Sequence, residues 1–275
     1  MMGPQVQWLG DGRLHLNHGP IDLICEAWGA PQAVKAGYAR AMARFDTVLT
    51  ELVAELPALR AEHQAVTGHL PRQMAAAVQP FRPAFITPMA AVAGAVADEV
   101  LAHLAGPGIA RAYVNNGGDI ALHLTPSTDL VCALAHGGSV QLHAAQAVRG
   151  IATSGWRGRS WSFGIADAVT VLARSAAMAD AAATMIANAV NLPGHPAITR
   201  RPAAEMQAES DLGHRLVTVG VGPLGAADVE RALDAGLATA RGFAARGLIE
   251  GAALFLQGRT CTHGQMSLPK ETERA

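Results

Sequence analysis

Residues 164–191 read G-I-A-D-A-V-T-V-L-A-R-S-A-A-M-A-D-A-A-A-T-M-I-A-N-A-V-N, and this stretch decides the architecture. Its A-V-T-V-L-A portion, residues 168–173, is a continuous apolar, β-branched run, the pattern of a strand covered on both faces. Arg174 and Ser175 break the run, and Ser175 suits the N-cap of a helix from Ala176 to about Val190. That helix is almost wholly Ala, Met, Ile and Val, so burial nearly all round is expected. Asp180 and Thr184 lie one turn apart within it, with about 5–6 Å between their Cβ atoms. A carboxylate in so apolar a helix is costly unless it is paired, hydrogen-bonded or on a cation. A carboxylate beside a hydroxyl suits a hard ion such as Mg²⁺. The alternative is that Asp180 accepts hydrogen bonds from a neighbouring loop while Thr184 bonds back to the Asp180 carbonyl.

Upstream, Asn115-Asn116-Gly117-Gly118-Asp119 separates two apolar runs, residues 111–114 and 120–124. Asn-Gly in that position predicts a tight hairpin. Its glycines could also expose backbone N–H groups to a phosphate. Thr87 and Pro88 read as N-cap and first residue of a small-residue helix through Leu104, with Gly94 marking a close backbone approach. Residues 130–135 and 140–143 continue an antiparallel sheet through His136-Gly137-Gly138-Ser139. Residues 156–162 interleave Trp156 and Trp161 with Arg157 and Arg159, a combination able to grip phosphate and stack a flat ring, or to bind a partner.

Toward the N-terminus, residues 6–9 and 13–16 flank Asp11-Gly12, the signal of a hairpin with a type I′ turn. A third strand over 21–27 precedes an amphipathic helix from Pro31 to about Leu56. Residues 57–88 carry at most a short helix near 71–78 and form a lid or a surface crossover. Past the central helix, residues 193–211 are a polar excursion. Then come a strand at 216–221, a helix from about 225 to 246, a last strand at 249–256 and a loose charged tail from Pro269.

The bulk composition sets limits. Half of the 275 residues are hydrophobic and 16% are charged, enough for a sizeable core. The net charge is −1 with no basic block, which argues against nucleic-acid binding by phosphate neutralisation. Cys25, Cys132 and Cys261 are far apart without metal-site spacing, as fits a reducing compartment. No leader, lipid anchor or membrane span is evident, so a cytoplasmic protein is expected.

Three segments then fall into order: Val114-Asn115-Asn116-Gly117-Gly118-Asp119-Ile120, Ala152-Thr153-Ser154-Gly155, and Ala179-Asp180-Ala181-Ala182-Ala183-Thr184. They resemble three motifs of the ApbE-like family, the FAD:protein FMN transferases. Ala93-Gly94-Ala95-Val96-Ala97-Asp98 is similar to a degraded form of that family's Lys-Gly-Tyr-Ala-Val-Asp helix. The resemblance covers residues 87–190.

It implies an α+β fold of the T-fold type, with antiparallel sheets backed by helices and a cleft between two halves, as one ApbE-like domain over residues 1–275. It implies FAD as a nucleotide ligand and Mg²⁺ on Asp180, Thr184 and the main-chain oxygen of Ala152. Asn116, Gly117, Gly118 and Asp119, with Thr153, Ser154 and Gly155, would face the dinucleotide. The family lysine is replaced by Ala93. The His-Ile-Ile-Asp-Pro segment survives only as Ser162-Phe163-Gly164-Ile165-Ala166-Asp167, which places the chain nearer a cytoplasmic branch lacking some transferase motifs. Three functions follow: cleavage or transfer at the FAD diphosphate, a non-catalytic flavin carrier or sensor, or a different small-molecule reaction using His63, His69 or His123. No catalytic residue is assigned, and a homodimer is left open.

Overall fold

The computed structural model describes residues 3–134, 138–264 and 266. Strands β1 (Gln5–Trp8) and β2 (Leu14–His18) form the first hairpin, with Trp8 opposite Leu14. Its connection spans residues 9–13 and is not the two-residue Asp-Gly turn that the sequence suggests. The Asp11 carboxylate accepts hydrogen bonds from the Arg13 amide and guanidinium, and this tightens the longer loop. Strand β3 (Ile21–Gly29) follows, with Leu23 and Cys25 buried on one face. Helix α1 (Pro31–Ala54) starts on Pro31, whose fixed φ suits the first helical position. It buries the stripe Tyr38, Ala41, Phe45, Val48 and Leu52.

The stretch read as lid or crossover carries helices α2 (Leu56–Leu59) and α3 (His69–Val78). Pro88 opens a 3₁₀ turn, Pro88–Ala91, ahead of α4 (Val92–Leu104), and Thr87 makes no side-chain cap bond. The α-helix thus begins later than Thr87-Pro88 suggested. Strands β4 (Ile109–Asn116) and β5 (Asp119–Leu124) form the second hairpin. Then come β6 (Asp129–Ala133), β7 (Ser139–His143), β8 (Gly150–Ser154) and β9 (Ala168–Ala173). Residues 135–137, within the expected connection between β6 and β7, lie outside the described residues, as does the tail from Pro269.

All of β9 is buried, as its unbroken apolar run predicts. It leads into α5 (Ala176–Ala189), where Ser175 Oγ accepts the Met178 amide as the expected N-cap. The remaining elements are β10 (Ile198–Pro202), α6 (Ala203–Met206), β11 (Leu216–Val221), α7 (Ala226–Ala245), β12 (Gly251–Leu256) and β13 (Arg259–Gly264).

The chain divides into two compact units. The first comprises Met1–Leu130, His143–Ala152 and Ala173–Ala181. In it β1, β2, β3, β4 and β5 pair antiparallel in sequence order, and the start of β8 joins β5 through Ile120 opposite Ile151. Helices α1 and α4 pack on these strands and on each other. Leu14, Leu16, Leu23, Val114 and Phe45 are buried in this unit. Each such large side chain withdraws about 1.5–3 kcal/mol of apolar surface from water.

The second unit comprises Val131–Leu142, Thr153–Leu172 and Ala182–Ala275. There β9, β12 and β13 pair antiparallel, with α7 packed on β12 and β13. Strands β10 and β11 form a separate ribbon.

Candidate functional site

Within the first unit the structure brings together the β4–β5 loop, the start of α4 and the start of α5. Asn116 and Asp119 face each other in register, so Gly117 and Gly118 are the two loop residues. Their φ angles of 65° and 114° lie in the left-handed region, which glycine enters without steric cost. The Gly118 amide donates to Asn115 Oδ1 at 2.8 Å, and a side chain at Gly118 would meet no neighbour within 4 Å. The hairpin expectation is therefore met, with the loop open on its outer side. Asn116 and Asp119, at its base, are only 4% and 8% exposed.

The Asn116 side-chain amide donates to the Ala93 carbonyl at 3.1 Å and so fastens the hairpin to the first turn of α4. Asp180 Oδ2 accepts the Gly94 amide of that same turn at 3.1 Å. In return, Asp98 on α4 accepts the amides of Ala176 and Ala177, at 3.0 and 2.8 Å, at the start of α5. Each helix therefore supplies a carboxylate to the other's N-terminus, where unpaired amides and the helix dipole favour negative charge. Gly94 permits the approach: a Cβ there would lie 2.2 Å from the Ala176 carbonyl oxygen. This was the close backbone approach that the sequence suggested at Gly94.

Three carboxylates thus share the neighbourhood. Burial pushes Asp180 well above the usual carboxylate range, and the Asp119 and Asp98 charges push the same way, against the Gly94 and Ala93 amides. Burial raises Asp98 to about 6, against the Ala177 and Ala176 amides. Among the described residues, no group of three or more His, Cys, Asp or Glu side chains is arranged to hold a metal ion. Asp180 offers a carboxylate oxygen, the ligand type that Mg²⁺ takes, with phosphate or water oxygens to complete the coordination.

The first unit holds Asn116, Gly117, Gly118, Asp119, Ala152 and Asp180, and the second holds Thr153, Ser154, Gly155 and Thr184. Of the Ala152-Thr153-Ser154-Gly155 segment, the first three residues end strand β8 and Gly155 follows it. In the second unit Thr153 Oγ1 lies 2.9 Å from Thr170 Oγ1, and the Trp156 amide, just after Gly155, donates to the Ala166 carbonyl. Thr184 follows Asp180 by one helical turn on α5, as its spacing required.

Asp167, the residue left from the family's missing Asp-Pro, is occupied. It accepts hydrogen bonds from the Trp156 indole, the Arg157 guanidinium and the Gln257 amide. Arg157 also lies over the Trp156 ring, 4.8 Å from its centroid. That arginine is engaged inside its own loop. His69 contacts Gln73 and Glu99, and His123 faces the Ile109 carbonyl. Burial raises the Cys25 thiol to about 12 and the Cys132 and Cys261 thiols to about 11, so none is poised as a nucleophile at neutral pH. The residue missed in the sequence was Asp98 as partner of the α5 N-terminus. Its place in the degraded helix motif was the available signal.

A family model, AbpE bacteria, matches residues 6–267. The chain belongs to this bacterial ApbE-like family. A UPF0280 protein of Methanothermobacter thermautotrophicus is 42% identical over 120 residues, 41% of this chain and 46% of that protein. UPF0280 protein MJ1526 of Methanocaldococcus jannaschii is 40% identical over 114 residues, 38% of this chain and 45% of that protein. The matched stretch thus spans about half the length of these relatives. The apo crystal structure of Pseudomonas stutzeri flavinyl transferase ApbE aligns over 96% of each chain, at a TM-score of 0.41 and 14% identity. No helix among the described residues is long and apolar enough to cross a membrane.

Proposed function

We propose that this chain binds a flavin nucleotide, FAD, together with Mg²⁺, and cleaves or transfers at the FAD diphosphate. One observation carries the reading: the half-buried Asp180 carboxyl lies close to the negative charges of Asp119 and Asp98, beside an open glycine loop. A divalent cation would relieve that repulsion, and a diphosphate would complete its coordination. Asp180, Thr184 and the Ala152 main-chain oxygen would hold the ion, which when bound neutralises charge on the diphosphate and the departing nucleotide. Gly117 and Gly118 would let phosphate approach the backbone, with Asn116 and Asp119 holding the loop.

A second reading, a flavin carrier or sensor without turnover, is favoured by the reciprocal caps. They give Asp180 a structural reason to be present even without a metal. Titrating purified protein with FAD, by flavin fluorescence with and without Mg²⁺ and an assay for AMP, separates the two. Mg²⁺-dependent binding with AMP release is the expected result. Binding without AMP favours the carrier, and absence of FAD binding refutes both.

A further inference from the structure

A concavity lies in the first unit at the end of β3 away from the glycine loop. It has a volume of about 610 Å³, and its walls include Trp8, Trp28, Pro31, Lys35, Tyr38 and Met42. Along β3, Trp28 is in register with Arg111 while Leu23 is in register with Asn116, five residues away. At about 3.3 Å per residue this places the cleft about 16 Å from the glycine loop. The volume lies in the range of small-ligand sites, about 300–1,000 Å³.

We propose that this cleft binds a planar aromatic acid, its ring against the tryptophans and its anionic group at Lys35. Trp8 is 52% exposed although it belongs to a paired strand, and its indole meets Tyr38 edge-to-face at 4.9 Å. The Arg111 guanidinium lies 4.5 Å from the Trp28 ring centroid and fixes that ring from one side. Aromatic walls of this kind favour flat rings in stacked or edge-on contact.

The charges point to an anion. Among the described residues, no acidic side chain lines the cleft. Lys35 makes no ion pair or hydrogen bond among the described residues. Helix α1 begins at Pro31, on the cleft wall, with no acidic residue in its first turn and no side-chain cap. The positive end of its dipole therefore adds to the lysine. Tyr38 Oη accepts the Ala27 amide at 3.0 Å and keeps its own proton to donate, while Lys35 supplies the positive charge on the cleft wall.

The test uses the full chain and two dyes, anilinonaphthalene sulfonate and the neutral phenylnaphthylamine, read by dye emission and by energy transfer from tryptophan. The native chain binds both. Lys35→Met weakens the sulfonate by about threefold, the scale of one exposed charge pair, and leaves the neutral dye unchanged. Trp8→Ala weakens both by about tenfold. Equal sulfonate affinity in native and Lys35→Met protein overturns the assignment of an anion. Undiminished binding of both dyes to Trp8→Ala places them elsewhere and overturns the cleft. Light scattering that shows a native dimer made monomeric by Trp8→Ala also overturns it, because a second copy then fills the cleft. Should Trp8→Ala fail to fold, the dye pair on Lys35→Met decides alone.

Discussion

Asp98 and Asp180 are the residues on which the site's electrostatics turn. Burial raises Asp98 from 3.8 to about 6, so the folded chain binds its proton more tightly than the unfolded chain does. The associated stability is full below pH 4 or so and is lost as pH rises through about 6, a span of up to about 3 kcal/mol. Asp180 shifts in the same direction. Urea unfolding at pH 7, 6 and 5 is therefore expected to show native protein gaining stability on acidification across this window. Asp98→Asn, which keeps a cap acceptor without the charge, should flatten that gain. The same pH slope in Asp98→Asn would contradict the burial of an ionised Asp98. Gly94 offers a sharper structural test. Gly94→Ala drives a methyl group into the Ala176 carbonyl, so a loss of about 3 kcal/mol or more in urea unfolding is expected. An unchanged midpoint would mean that α4 and α5 do not meet there.

At the scale of elements, α4 is tied to α1 and α3 through Glu99, which is 3% exposed. Glu99 Oε1 accepts the Arg44 guanidinium of α1 at 2.6 Å, and Oε2 receives the Gln73 amide of α3 at 3.2 Å. Burial alone would raise this carboxyl, but the Arg44 bond and charge, helped by His69 and His103, hold it below the usual range. Its contribution is thus present above about pH 4.5 and lost as pH falls through the lowered value, the opposite sense to Asp98. Glu99→Ala removes one of the two carboxylates that hold Arg44 and leaves it paired with Glu51, at 2.5 Å. The lost charged hydrogen bond is expected to cost about 1.5–3 kcal/mol in thermal or urea unfolding, and a cost near zero would show the network to be incidental.

Most elements were legible from local pattern. The apolar run of β9, the Ala-rich α5 with Ser175 as cap, and the Pro31 start of α1 each carry their own signal. Strand β13 did not, because R-T-C-T-H-G is an edge strand whose pairing with β12 is set by its partner and not by alternation. Strand β10, I-T-R-R-P, hides behind two arginines and a proline. The exchange of caps between α4 and α5 joins residues more than 70 positions apart, beyond the reach of any local pattern. Asp180 stood out in the sequence because its helix is apolar. Asp98 did not, because nothing near it in the chain showed which amides it meets.

At the scale of the whole molecule, family membership rests on a match over most of the chain, while the activity is a proposal about a few oxygen atoms. The same carboxylate, Asp180, serves the α4 N-terminus and is the side chain on which Mg²⁺ binding is proposed. These two roles respond differently to one substitution. Asp180→Asn keeps an oxygen for the Gly94 amide and removes the charge, so the cap survives and the cation loses its ligand. The decisive measurement is FAD affinity with and without Mg²⁺ in native and Asp180→Asn protein, each checked for an intact unfolding transition. Mg²⁺ is expected to tighten FAD binding in the native chain and to have no effect in the folded variant. An equal Mg²⁺ response in the two proteins would contradict the metal role of Asp180 and leave it as a helix cap.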